Sequence, residues 1–281
     1  MEGRRIGAEQ IRGYAAWLRS EERSEATVEK YTRALEQYSS WLGGREPTRE
    51  LTAEWKERLL CEGLEASTVN GKLSALDGFY RWRGWGECGV RHIRVQRRAF
   101  IESRRELTRA EYERLTGSAR GGGRERLALV METLCATGIR VSELRYVTVE
   151  ALERGRAEVS LKGKVRTILL PRKLSRKLLK YAKSRGISRG EVFVTVTGRS
   201  LSRKQVWQEM KRECARAGVE PGKVFPHNLR HLFARCFYKV SRDVAKLADV
   251  LGHSSIETTR IYLMTSFKEH EKLLECLSLV S

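Results

Sequence analysis

The 36 residues from 227 to 262 include four whose side chains are of the types that can cut a phosphodiester. His227 and Arg230 are three residues apart, His253 follows a glycine, and Tyr262 lies nine residues further on. Arg and His can hold and neutralise a phosphate, and a Tyr hydroxyl can attack it. Each residue alone has a plainer explanation, as a chance surface pair, a capping His or a buried aromatic. Their joint spacing favours phosphate chemistry, for which no metal-ligand pattern is needed.

Short helices are expected to carry these residues. Pro226 suits the first turn of a helix on which His227 and Arg230 share one face. A second helix should end at Gly252 and present the histidine that follows it, and a third, short helix should carry the tyrosine. The first of these helices should be anchored on its other face by Leu229, Leu232, Phe233, Phe237 and Val240.

Upstream, the sequence predicts a helix and a hairpin. Leu127–Thr137 is strongly apolar and is followed by Gly138, which is typical of a helix end. The β-rich runs Ala157–Leu161 and Val165–Pro171 flank a glycine-centred turn, which predicts a β-hairpin. The segment Val192–Val196 is a candidate third strand.

The first 90 residues show apolar residues at helical spacing. We expect the aromatic residues of these stripes to form a core, with a base-stacking platform as the alternative. Four helices are predicted, near residues 6–18, 27–42, 51–60 and 67–80. An Arg-dense stretch then suggests a basic linker, either an ordinary solvated one or one that lies along DNA. The predicted limits are residues 1–92 for the helical domain, 93–104 for the linker and 105–281 for the second domain.

The charge of the chain favours a polyanionic partner. With 55 Lys and Arg against 35 Asp and Glu, the net charge is +20. Residues 1–100 hold 18 basic and 15 acidic residues, so residues 101–281 hold 37 and 20, a net charge of +17. Such a field favours nucleic acid, although a soluble basic protein without such a partner is the alternative.

Composition also excludes several classes of protein. The six cysteines are scattered and form no C-x-x-C pair, which argues against a zinc knuckle and suggests thiols in a reducing cytosol. The glycine-rich stretch 117–126 lacks the G-K-S/T of a nucleotide-binding loop. The apolar runs are too short to span a membrane, and the first residues lack an apolar signal core.

Three sequence boxes resemble those of the tyrosine recombinases, the phage-integrase and Xer-like family. Residues 137–144 match T-G-x-R-x-S-E-L, residues 227–231 match H-x-L-R-H, and residues 251–262 match L-G-H-S-S-I-x-T-T-x-x-Y. The resemblance implies a mainly α fold with a small β-sheet. It implies a helical SAM-like core-binding domain followed by a mixed α/β catalytic domain, without an extra arm-binding domain.

The resemblance also implies roles for individual residues. Tyr262 would be the nucleophile, Glu143 a supporting acid, and no residue a metal ligand. The hairpin is one residue shorter than the family's G-K-G-x-K-x-R, so alignment on Arg166 favours Lys164 as the catalytic lysine and leaves Lys162 as the runner-up. The implied catalytic set is Arg140, Lys164, His227, Arg230, His253 and Tyr262.

The function implied is site-specific DNA recombination through a 3′-phosphotyrosyl intermediate and a Holliday junction, without metal, ATP or another cofactor. The expected partners are double-stranded recombination sites, in the cytoplasm and with no membrane. A homotetramer on two sites would form through a C-terminal helix whose apolar residues are Phe267, Leu273, Leu274 and Leu277. That helix packing on its own domain is the alternative.

Other functions stay open at this point. A type IB topoisomerase or telomere resolvase shares the chemistry, although the T-G-x-R and L-G-H-S-S boxes argue against both. A DNA-binding regulator without catalysis is the third reading, against which the intact residue set argues. Chromosome resolution and mobile-element integration are equally compatible with the sequence.

Overall fold

The computed structural model describes residues 4–94, 106–161, 164–253, 255–260 and 262. The chain divides into two compact units, Met1–Arg97 and Arg98–Ser281. The domain limits at residues 92 and 105 stay a prediction. Residues 95–104 of the predicted linker lie outside the described residues.

The first unit is a bundle of four helices. They are α1 (Ala8–Ser20), α2 (Glu25–Leu42), α3 (Arg49–Cys61) and α4 (Ala66–Arg83), followed by a 3-10 turn at Gly86–Cys88. Most of its aromatic residues pack inward, as predicted: Tyr14, Tyr38 and Phe79 are buried, whereas Trp17 is 37% exposed. The hydroxyls of Tyr38 and Tyr80 each lie 2.9 Å from that of Thr52, so the polar ends of these rings are satisfied inside the core.

The second unit is mainly helical and has one two-stranded antiparallel sheet, which confirms the predicted fold class. Its elements are α5 (Arg109–Gly121), α6 (Glu125–Thr137), α7 (Val149–Arg154), β1 (Arg156–Leu161), β2 (Lys164–Leu169), α8 (Arg172–Ser184), α9 (Arg203–Ala217), α10 (Pro226–Ser241), α11 (Val244–Leu251) and α12 (Ile256–Arg260). Short 3-10 helices cover Val141–Tyr146 and Pro221–Lys223.

The predicted helix ends are confirmed. Pro226 begins α10. Gly138 and Gly252 end α6 and α11 with φ of 65° and 64°, the left-handed region that glycine adopts without strain. The core of this unit surrounds α6, against which α10 packs. The carbonyl end of α6 is thereby held beside the helix that carries His227 and Arg230.

Two expectations are wrong. Val192–Val196 forms no strand; it makes an isolated bridge from Val194 to Ser200, because Thr195 donates to the carbonyl of Arg199 and closes a tight turn. Val240 is 87% exposed, since it lies in the last turn of α10, beyond the elements that cover the rest of the helix.

Within the described ranges, no helix has both the length and the apolar character required to cross a membrane.

Candidate active site

Arg230 lies at the centre of the candidate site and is almost fully buried. Its Nη1 donates to the carbonyl of Gly138 at 2.6 Å, and its Nη2 donates to the carbonyl of Leu251 at 2.7 Å. The same Nη2 lies 2.8 Å from Nε2 of His253. One guanidinium therefore joins the ends of α6 and α11 to α10.

The glycines at these two helix ends also fit the site through their lack of a side chain. A Cβ on Gly138 would lie 2.4 Å from the ring of Phe233, and one on Gly252 would lie 2.5 Å from Cδ of Arg166. Both contacts are closer than real Cβ atoms allow. The glycines therefore permit close packing of the elements that carry the arginines.

Glu143 is a fully buried carboxylate that holds two arginines. It accepts from the backbone N–H of Arg140 at 2.7 Å and from Nη1 of Arg140 at 3.1 Å, and Nη2 of Arg166 also donates to it. Arg166 reaches across from β2 and donates to the carbonyl of Val250 at 3.0 Å. Glu143 thus fixes the Arg140 side chain, which is 43% exposed, at the edge of the site.

His253 has a hydrogen-bond partner on each ring nitrogen. Since Arg230 can only donate, Nε2 of His253 accepts from it, and Nδ1 must carry the proton. That proton faces Oγ1 of the buried Thr259, 2.9 Å away. The Thr259 hydroxyl therefore accepts from Nδ1 and fixes the ring as its neutral Nδ1–H form.

Tyr262 is buried among the rings of three histidines. Its hydroxyl lies 3.5 Å from Nε2 of His227, at the outer limit of a hydrogen bond. Its ring stacks on His253 with centroids 5.5 Å apart, and it lies closest to His231, at 4.3 Å. His231 also meets His227 edge-on at 4.8 Å. The phenol is therefore held by packing on both sides.

Burial and the surrounding arginines keep these histidines neutral. Burial is the main cause that lowers the pKa of His227, with Arg230, Arg140 and Arg203 adding to it. Burial and then Arg230 lower the pKa of His253 to about 4. Burial and then His227 lower the pKa of His231 to about 3. Among these described residues, the positive charge of the site is therefore carried by arginine and not by histidine.

The two candidate catalytic lysines belong to the β-hairpin. Lys164 begins β2, and its backbone pairs with Leu161. Lys162 lies outside the described residues, as do Ser254 and the predicted C-terminal helix over residues 266–277.

The structure therefore brings together five residues of the expected set, Arg140, His227, Arg230, His253 and Tyr262, with Glu143 beneath them. Sequence reasoning missed Arg166, His231 and Thr259 as members of the site. Two of the three stand inside the family-like boxes: Thr259 is the second threonine of T-T-x-x-Y, and His231 ends H-x-L-R-H. Arg166 lies in β2 of the hairpin, outside these boxes.

The chemistry that suits this site is that of an anion. The cations Arg140, Arg166 and Arg230 outnumber the single carboxylate, Glu143, among the described residues that build it. The buried Nε atoms of Arg166 and Arg230 have no hydrogen-bond partner among the described residues. A phosphate would balance the excess of positive charge that these arginines carry. In the same described ranges no cluster of His, Cys, Asp or Glu could hold a metal ion.

Comparison with known families agrees with this chemistry. Residues 105–269 match the phage integrase family, and residues 11–85 match the N-terminal SAM-like domain of phage integrases. The tyrosine recombinase XerA of Pyrococcus furiosus is 27% identical over 98% of this chain and 96% of its own. The tyrosine recombinase XerD of Xanthomonas axonopodis pv. citri is 35% identical over about half of each chain, 51% and 52%.

Solved structures show the same fold. XerH recombinase bound to its difH substrate has a TM-score of 0.69 at 20% identity, over 97% of this chain and 84% of that one. A lambda integrase tetramer bound to a Holliday junction has a TM-score of 0.70 at 22% identity, over 90% and 76%. At these sequence identities, the structural similarity supports only a shared fold. Because the family match spans more than half of the chain, this protein belongs to the phage integrase family and is a tyrosine site-specific recombinase.

Proposed function

We propose that Tyr262 cuts duplex DNA at specific sites by attacking the scissile phosphorus and forming a 3′-phosphotyrosyl bond while the 5′-oxygen leaves. The observation that carries this is the tyrosine hydroxyl 3.5 Å from a neutral His227, in a site lined by arginines. Attack by a 5′-hydroxyl of the partner strand reverses the step and frees the tyrosine. In each step one phosphate ester bond breaks as another forms, so the bond energy is conserved and resealing needs neither ATP nor metal.

The arginines would stabilise the charge that develops on the non-bridging oxygens. Arg140 is exposed enough to meet a phosphate, and Arg230 supports the site from beneath through its contacts with the ends of α6 and α11. Preorganised donors of this kind contribute about 3–4 kcal/mol each, by the precedent of oxyanion holes. Loss of either arginine should therefore slow cleavage by orders of magnitude even at saturating DNA.

Two protons must move in the cleavage step. The tyrosine proton leaves as its oxygen attacks, and we assign its acceptance to His227, whose lowered pKa leaves Nε2 free to accept it. The departing 5′-oxygen needs a proton, which we assign to Lys164, with Lys162 as the alternative. His253 would hold Arg230 and the tyrosine ring in place without transferring a proton.

A 5′-bridging phosphorothiolate substrate tests the lysine assignment, because its thiolate leaves without a proton. Lys164→Ala should be slow on ordinary DNA and restored on this substrate, whereas Arg140→Ala should stay slow on both. Rescue of Lys162→Ala instead of Lys164→Ala would move the acid two residues upstream.

We also propose that four copies assemble on two DNA sites and pass through a Holliday junction, as in the lambda integrase complex named above. The predicted C-terminal helix, residues 266–277, would dock on a neighbouring copy and couple that contact to the placement of Tyr262. Truncation after Ser266 should then leave single-site binding in a gel-shift assay intact and abolish recombination. Full recombination by the truncated chain would assign the coupling elsewhere.

We further propose how the two domains bind DNA and where in the cell the enzyme acts. The two predicted domains, residues 1–92 and 105–281, would hold DNA as a clamp, with residues 93–104 along the duplex. The enzyme would act in the cytoplasm, which is supported by the absence of disulfides among the five described cysteines.

A further inference from the structure

Helix α8 and the residues just after it carry many positive charges that the proposed chemistry does not use. From residue 159 to residue 190 the sequence contains no Asp or Glu, while residues 172–189 contain eight Lys and Arg. All eight are exposed. Charged surfaces of proteins normally mix both signs, so a helix whose exposed charges are all positive indicates an anionic partner.

The cations lie on one face of the helix. Arg172, Arg176, Lys180 and Lys183 follow one another at intervals of four, four and three residues, which places them in one stripe. At 1.5 Å per residue the stripe is about 16 Å long. Duplex DNA rises about 3.4 Å per base pair, so the stripe spans about five base pairs of phosphates.

These cations are not neutralised by the protein itself. Lys177 pairs with Glu132 of α6 at 3.0 Å, and the Arg185 guanidinium lies over the ring of Tyr181. In the part of the chain that the structure describes, no ion pair is formed by the other six of the eight cations, which are Arg172, Lys173, Arg176, Lys180, Lys183 and Arg189. Their counterions are therefore available for exchange with a polyanion.

The chemistry of the face favours a nucleic-acid backbone over a protein or a membrane. The apolar side chains of α8 point inward: Leu174, Leu178 and Tyr181 are buried. The exposed face thus lacks the apolar anchors that protein interfaces and interfacial membrane helices use. It has no exposed aromatic ring for stacking on single-stranded bases, which favours duplex DNA.

The face is also separate from the active site. The cations that lower the pKa of His227 and His253 are Arg140, Arg166, Arg203 and Arg230, and none of them belongs to α8. Among the described residues, the cations of α8 make no hydrogen bond or ion pair with a residue of the site; Lys177 reaches Glu132, in the middle of α6.

We propose that the outer face of α8 is a second surface for duplex DNA, which holds phosphates away from the scissile one. The inference rests on the proposed function, since it takes DNA as the partner. This surface would raise the affinity for long DNA and make it more dependent on salt, without changing the cleavage step.

The test replaces the stripe by neutral side chains, in the variant Arg172→Gln, Arg176→Gln, Lys180→Gln and Lys183→Gln. Binding of the full chain to a labelled random-sequence duplex is measured over a series of NaCl concentrations. Each lost phosphate contact lowers the slope of log Kobs against log salt by about 0.9, so the slope should fall by about 3 to 4. The cleavage rate at saturating DNA should stay at the wild-type value.

Two further variants test whether a fall in the slope comes from lost phosphate contacts, from the lower net charge or from misfolding. Arg4→Gln, Arg19→Gln, Arg58→Gln and Arg109→Gln remove the same charge from arginines that already pair with Glu87, Glu25, Glu62 and Glu113. This set should change the slope by less than about 1, the value of one contact. Exchanging Lys for Arg and Arg for Lys within the stripe should keep the wild-type slope.

A wild-type slope in the neutralised stripe variant, or an equal fall in the paired-arginine set, would overturn the proposal. Absence of duplex binding by the wild-type chain would instead overturn the proposed DNA function together with it.

Discussion

At the residue scale, the site combines neutral imidazoles with permanent cations. His227 and His253 have lowered pKa values because they are buried beside Arg230 and Arg140, whose charges persist over the whole working range of pH. A neutral imidazole can accept the proton of the tyrosine, while guanidiniums bind the phosphate. The two tasks are thus divided between two residue types.

This division has a consequence for the pH profile of cleavage. An unperturbed His has a pKa of about 6.5, and that of free-enzyme His227 is lowered, so the base stays neutral below that pH. Because kcat/KM reports the free enzyme, its acid limb should have a midpoint below about 6.5. His227→Gln should be slow and lack this limb. A wild-type acid limb centred above the ordinary His value would contradict the assignment.

His231 should matter through packing alone. Its ring centroid lies 4.3 Å from that of Tyr262 and 4.8 Å from that of His227. Since a displacement of about 1 Å can cost about a hundredfold in rate, His231→Ala should slow cleavage at saturating DNA by about ten- to a hundredfold. His231→Phe keeps an aromatic ring and should restore most of the rate. Wild-type cleavage by His231→Ala would remove His231 from the site.

Spacing in the sequence identified the residues that the structure brings together but missed those that hold them. The boxes around Arg140, Arg230 and Tyr262 are readable because each function needs a fixed residue type at a fixed local position. Arg166 was missed because its partner, the carbonyl of Val250, is 84 residues away. No periodicity within one element predicts that β2 packs against the end of α11.

At the element scale, the ends of helices build the site. The last carbonyls of α6 and α11 accept from Arg230, so the caps that stop these helices also set the position of the guanidinium. Helix ends were predictable from Pro226, Gly138 and Gly252, since φ and hydrogen-bond constraints act locally. The absence of a strand at Val192–Val196 was not predictable, because local β propensity cannot show whether a partner strand is present.

A substitution at Gly138, which ends α6, tests the role of the helix ends in the site. In Gly138→Ala the new Cβ would lie 2.4 Å from the ring of Phe233, at a φ of 65°. Gly218→Ala is the matched control, because its φ is 60° and no atom lies within 4 Å. Overpacking costs about 1–3 kcal/mol, so Gly138→Ala should lose about that much more stability than the control in thermal unfolding. It should also cleave more slowly, since the carbonyl of Gly138 holds Arg230. Equal stability of the two variants would contradict this packing.

At the scale of the whole molecule, the excess of charge lies in the second unit's part of the sequence, where residues 101–281 carry +17 of the total +20. Composition predicted a polyanion as partner, and periodicity predicted the helical bundle of the first unit. Composition could not predict that part of the excess gathers on the single face of α8. Neither core packing nor periodicity constrains surface charge. The clustering of cations on one face of α8 could therefore be recognised only from the structure.

Tyr262 should become covalently joined to DNA, and trapping of that adduct can be measured. A duplex that carries a site selected by the wild-type chain from a random pool, and a nick just 3′ of the scissile phosphate, releases the short fragment with the new 5′-hydroxyl and so traps the adduct. On a denaturing gel the wild-type chain should shift the labelled strand, and Tyr262→Phe should bind the same duplex without forming the shifted band. A covalent adduct from Tyr262→Phe, or none from wild-type protein on a bound site, would contradict the account.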